Sequence, residues 1–118
     1  MPRTMQEPTF LVLTALADGE KHGYALIEEI SRISQGAVSM GVGTLYSALD
    51  RLTREGLITR TRDEKVAGRT RRFYRLTPHG AATLRDEIAR LEVRTDAARQ
   101  RLDQWRPVQQ RATAGGEA

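Results

Sequence analysis

GVGTLYSALDRLTREGLITR, residues 41–60, decides how the rest of the chain is read. Leu45, Leu49 and Leu52 recur at steps of four and three, the spacing of one inward face of a helix. Val42 extends this stripe on its N-terminal side, and Leu57 continues it past the helix end. Gly56 stands where a left-handed residue commonly closes a helix. The leading edge carries small hydroxyl residues and a tyrosine, Thr44, Tyr46 and Ser47, and its carboxylates are held back at Asp50 and Glu55. Ser39, just before the glycines, is placed to cap the helix.

Two more helices precede it. EPTFLVLTALA (7–17) has Pro8 in a first-turn position and a broad apolar surface of Phe10, Leu11, Val12, Leu13 and Leu16, so it is expected to be well buried. HGYALIEEISRIS (22–34) places Tyr24, Ile27, Ile30 and Ile33 on one side and ends at Gln35-Gly36. After Gly56 the period changes to two. LITRTRDEKV and RTRRFYRLT flank Ala67-Gly68, which predicts a β-hairpin whose tip carries Lys65, Arg69, Arg71 and Arg72. Thr77-Pro78 then opens a last helix as cap and first-turn proline. Ala81, Leu84, Ile88, Leu91, Thr95, Ala98, Leu102 and Trp105 recur along it at alternating steps of three and four, a heptad seam that Pro107 ends. The small polar tail that follows is expected to be disordered.

Composition narrows the function. The 118 residues carry a net charge of +4, unevenly spread. Residues 1–50 hold three basic and six acidic side chains; residues 51–76 hold nine basic and three acidic. Charge focused in this way suits a polyanion, nucleic acid or an anionic membrane, although a solvated arginine-rich surface is the plainer reading. Without cysteine there is neither a disulfide framework nor a thiolate metal site, which fits a cytoplasmic protein. No apolar run approaches the roughly 20 residues of a membrane span, and MPRTMQEPTF lacks the apolar stretch of a signal peptide. His22 and His79 stand in separate elements, each beside a glycine at a helix start, where capping or packing accounts for them. No catalytic residue, metal site or cofactor is expected.

Three helices, a hairpin and a long helix make a mainly α fold with a small β component: a winged helix-turn-helix domain (1–76), a C-terminal dimerisation helix (77–106) and a tail (107–118). In such a plan the third helix is inserted in the DNA major groove. That accounts for the uncharged leading edge. Small residues allow close approach, hydroxyls and free N–H groups meet phosphates, and carboxylates would repel the backbone. The bland alternatives stay open. Ser39, Thr44 and Ser47 also serve as helix-start residues, Tyr46 also packs beside Leu45, and Arg51 and Arg54 also pair with neighbouring acids. A winged-helix scaffold used for protein interaction, without DNA, is the rival reading; its wing would be less basic and its third helix more apolar outside.

HGYALIEEI (22–30), GTLYSALDRLTREGLI (43–58) and GRTRRFYRLTPHG (68–80) together resemble the PadR-like family of bacterial transcriptional regulators. The resemblance spans roughly residues 8–80 in the family's order and spacing, with Ser47 standing where the family often has proline. It implies a homodimer on a pseudo-palindromic operator, usually a repressor, in many relatives released by a small aromatic or phenolic effector. It maps Thr44, Tyr46 and the hairpin cations onto DNA-contacting positions. The expected contact set on and before the third helix is Ser39, Gly43, Thr44, Tyr46, Ser47 and Arg51. Lys65, Arg69 and Arg71 complete it from the hairpin. Dimerisation follows independently from an apolar seam too long for so small a domain to cover. Its expected members are Phe10, Leu84, Ile88, Leu91, Thr95, Ala98, Leu102 and Trp105, with Trp105 also a candidate wall of an effector site.

Overall fold

The computed structural model describes residues 4–108. The chain forms two compact units, one up to Ile88 and one from Ala89 onward. The first unit begins with α1 (Glu7–Leu16), which buries Thr9, Leu11, Val12, Leu13, Ala15 and Leu16. A helix apolar on nearly every side belongs in the middle of a domain, and the other elements wrap it. Lys21 ends its turn by donating from Nζ to the Ala15 carbonyl oxygen at 2.6 Å while pairing with Asp18.

Lys21 and His22 form a short strand, β1 (Lys21–His22), that leads directly into α2 (Gly23–Ile33). α2 buries Gly23, Leu26 and Ile30, with Ile27 and Ile33 packed at the margin of the core. Tyr24 was expected on the inward side and is instead 67% exposed. The helix turns Gly23 inward because Tyr46 approaches there, and the next residue, about 100° further round, then faces out.

α3 (Val42–Arg54) buries Leu45, Ala48, Leu49 and Leu52 as its leucine spacing requires. Val42, expected to extend that stripe, is 59% exposed, and buried Met40 in the connector fills that end of the core. At the other end Gly56 is left-handed (φ +77°). Leu57 N–H donates to the Leu52 carbonyl at 3.0 Å and Gly56 N–H to Thr53 at 3.1 Å. This paired closure satisfies carbonyls that the helix end would otherwise orphan.

β2 (Ile58–Val66) and β3 (Arg69–Leu76) form the hairpin, and the sheet order is β1-β3-β2, all antiparallel. Ala67 (φ +51°) and Gly68 (φ +78°) make the two-residue turn, whose two positive φ values suit the right-handed twist of paired strands. A bulge between Arg60 and Arg62 re-aims the side chains of β2. Tyr74 from β3 is buried in the core; the outer half of the hairpin is exposed throughout.

α4 (Pro78–Gln104) starts as its Thr77-Pro78 opening predicts. Thr77 Oγ1 accepts from Gly80 N–H at 3.0 Å and donates to the Gly56 carbonyl at 2.6 Å. Leu84, placed in the dimer seam by its spacing, lies in the core of its own chain. Phe10 likewise packs against that core. The helix ends at Gln104, so Trp105 stands just beyond it, before Pro107. Most of the expected tail, 109–118, lies outside the described residues. Among the described residues no helix is long and apolar enough to cross a membrane.

Candidate nucleic-acid interface

α3 opens without a side-chain cap. Its N-cap is Gly41 (φ −73°, ψ 159°). Ser39, the expected cap, lies two residues too early, and no hydroxyl stands at the position from which it could accept from the second or third helical N–H. The first-turn amides of Val42, Gly43 and Thr44 therefore face outward without a side-chain acceptor, at the positive end of the helix dipole. Gly43, Ser47, Asp50 and Arg54 form the outward stripe opposite the buried leucines, and all four are exposed. Thr44 is also exposed, on one flank of that stripe. Tyr46, half-buried, lies on the other flank.

Tyr46 seats its phenol on Gly23, where a β-carbon would stand 2.9 Å from Cζ and closer still to the hydroxyl. This is a close approach that only glycine permits. Beside it His22 caps α2, its Nδ1 accepting from Ala25 N–H at 3.3 Å. The other ring nitrogen lies 3.5 Å from Arg71 Nη1, and the imidazole meets the Phe73 ring edge-on at 5.3 Å. Burial, and then the charge of Arg71, pushes the His22 pKa below its ordinary value. His22 is thus neutral at pH 7, as a capping acceptor must be. These groups border a half-open cleft of about 370 Å³ lined by His22, Gly23, Tyr24, Tyr46, Arg69, Thr70 and Arg71. Two tyrosines and two arginines, from α2, α3 and β3, are among its lining residues.

The hairpin carries seven basic and two acidic side chains over residues 58–76. They are not equivalent. Arg62 lies 3.9 Å over the Phe73 ring and pairs with Glu20 at 2.9 Å and Glu64 at 3.0 Å. Thr61 adds a 2.6 Å hydrogen bond to Glu20, and these two donors hold the Glu20 carboxyl below the usual range. Arg62 therefore ties the base of the hairpin to the β1 segment. Arg60 is 3.7 Å from Asp63. Lys65, Arg69 and Arg72 have no ion pair among the described residues, so their charge is available to a partner. Of the tip cations expected from the sequence, Lys65, Arg69 and Arg72 are thus free of ion pairs among the described residues and Arg71 stands beside His22, whereas the anchoring Arg62 lies outside that set. The bulge and the register divide the hairpin cations into anchors and free charges.

Arg51 is drawn elsewhere. It donates from Nη2 to Thr9 Oγ1 at 2.8 Å and lies 3.5 Å from Glu55. There it borders a second cleft, about 390 Å³, between the start of α1 and the end of α3. Tyr46 of α3 and Arg69 and Arg71 of the hairpin share the first cleft, and Arg51 is not among its lining residues. Arg54 and Asp50 share the outward stripe instead. Their spacing from Ser47, seven residues for Arg54 and three for Asp50, could have placed them there from the sequence.

Residues 12–86 match the transcriptional regulator PadR-like family. The chain belongs to that family. The transcriptional regulator Rv3488 of Mycobacterium tuberculosis is 41% identical over 81 residues, covering 69% of this chain and 72% of the relative. Bacillus subtilis PadR, solved in complex with operator DNA, is 27% identical with a TM-score of 0.63, over 71% of this chain and 48% of that one. A PadR family regulator from Clostridium difficile shares the fold (TM-score 0.68, 21% identity, 82% of this chain and 99% of that one). PadR-like proteins are transcriptional regulators, not enzymes. In this PadR-like chain α2 and α3 are therefore the helix-turn-helix, and the β2–β3 hairpin is its wing.

Proposed function

We propose that this regulator binds a pseudo-palindromic operator as a homodimer and represses by occupying it, in the cytoplasm. The observation that carries the reading is the start of α3: uncapped, exposed and without carboxylates through Ser47, beside unpaired cations of the hairpin. Gly43, Thr44 and Ser47 approach the groove, and the free amides of the first turn meet a phosphate. Tyr46 with Arg69 and Arg71 receives a backbone phosphate in the cleft above α2, and Lys65 holds the flanking backbone. Two copies place their third helices about 34–36 Å apart, one turn of duplex.

The second copy docks on the exposed apolar residues of α4. Ile88, Leu91 and Leu102 keep the heptad spacing on the solvent side, and Leu102 is 67% exposed. Leu84 is already covered by its own chain and supports the seam from within. Trp105, the chain's one tryptophan, is 63% exposed and lies at the end of this surface. Its fluorescence reports whatever covers it, the partner subunit or a small aromatic effector that shifts the separation of the two reading helices and so releases DNA.

Site selection from random duplexes, read by sequencing, tests the reading. An inverted repeat is expected, with affinity falling steeply as salt rises. Replacing Arg69 and Arg71 together by alanine weakens binding to all sequences and flattens the salt slope. Retained affinity in that double variant would remove the hairpin from the interface. A protein that stays monomeric and ignores duplex at low salt would leave only the protein-interaction reading.

A further inference from the structure

Asp50 is the one carboxylate on the outward stripe of α3. It follows Ser47 by three residues and precedes Arg54 by four, and it is exposed. It makes no hydrogen bond or ion pair among the described residues, although Arg51 and Arg54 lie within four positions. Arg51 is engaged with Thr9 and Glu55, so it is not drawn to Asp50. An unpaired carboxylate on a surface meant for phosphate is repulsive, and alanine or serine would serve affinity better. The major groove offers such a group few partners. Thymine and guanine present acceptor oxygens, and adenine sets its N7 acceptor beside its amino group. Cytosine alone offers an exocyclic amine without a neighbouring acceptor on the same base.

We infer that Asp50 is a specificity-determining residue that accepts a hydrogen bond from the N4 amine of one cytosine in each half-site. The inference rests on the DNA-binding reading and deepens it. Phosphate contacts supply the affinity, and Asp50 spends part of it to reject duplexes that lack a cytosine at that step. The carboxylate penalises thymine most, because its O4 acceptor replaces the amine donor.

The test compares wild type with Asp50→Ala and Asp50→Asn in the same site selection, followed by titration of the selected operator and a copy with that cytosine pair changed to thymine–adenine. Wild type is expected to lose about tenfold on the cytosine-to-thymine change, within the range of a good base contact. D50A loses that discrimination at the one position only, keeps the rest of the selected motif and binds random duplex more tightly. D50N shifts the preferred base at that position toward adenine, which an amide pairs with. Asp50 is exposed, so each variant folds, and circular dichroism checks it. If D50A keeps the cytosine preference, or tightens on every sequence equally with the wild-type motif showing no cytosine there, the assignment is overturned while DNA binding stands. If wild type retains no duplex at all, the functional reading itself fails, and the assignment with it.

Discussion

The starts of α3 and α4 follow the same local rule and end in opposite states. At α4, Thr77 occupies the N-cap and its hydroxyl makes two bonds, one from Gly80 N–H and one to the Gly56 carbonyl. Gly80 then lies so close to the Leu57 carbonyl oxygen that no side chain fits between them. At α3, Gly41 occupies the N-cap, offers no side chain and leaves the first turn open. One helix start closes the domain and joins the end of α3 to the hairpin. The other gives up a local hydrogen bond and leaves its first-turn amides without a side-chain acceptor. α2 lies between them, since its cap is a histidine that holds only while it is neutral.

The difference can be broken most severely at Gly80. A β-carbon there would overlap the Leu57 carbonyl oxygen and stand 2.8 Å from Leu76 Cδ1. Gly80→Ala is expected to destabilise the fold by about 3 kcal/mol, read as a shifted urea midpoint. Thr77→Ala removes the cap from the same junction and should cost about 1–2 kcal/mol in the same assay. An unchanged midpoint in both variants would mean that the junction does not hold the domain together.

The His22 cap gives a pH test. Its folded-state pKa is depressed, so the unfolded chain takes up the proton first as pH falls. The cap's contribution is whole above the ordinary histidine value near 6.5 and is lost as pH falls below it toward the folded value. Thermal midpoints between pH 7.5 and 5 should therefore fall. In His22→Asn, whose amide oxygen caps without titrating, they should fall less. Equal slopes in the two proteins would sever the cap from the pH response.

The smallest effect is the most informative about function. Gly41→Ser gives α3 the cap that Ser39 does not supply. It should add only a few tenths of a kcal/mol to stability, since glycine is itself a tolerable N-cap. The new hydroxyl would accept from a first-turn amide and remove it from the phosphate, so operator affinity should fall while stability rises slightly. A rise in both would show that the open turn serves no partner.

Much of this was legible from single residues. The leucine spacing of α3, the Gly56 closure, the Ala67-Gly68 turn and the Thr77-Pro78 start each depend on interactions within a few residues, and each formed as its chemistry requires. β1 was not legible, because two residues carry no period and form a strand only where the edge of β3 receives them. Tyr24 and Ser39 were misplaced for a related reason. Their environment is set by Tyr46 pressing on Gly23 and by where the connector lets α3 begin. The hairpin cations were counted correctly as charge. Which of them are tied down depends on Phe73, Glu20 and a bulge, none of which has a signature in the arginines themselves.

The order of elements, the apolar faces and the concentration of positive charge in residues 51–76 were determined by the sequence alone, because local periodicity and composition report the physics of short stretches directly. Tertiary structure decided which helix start stays open, which arginines remain unpaired and which seam residue is covered by its own chain. Those outcomes depend on contacts between segments far apart in the chain, such as Arg51 with Thr9 or His22 with Phe73, and no local pattern encodes where a distant partner will stand.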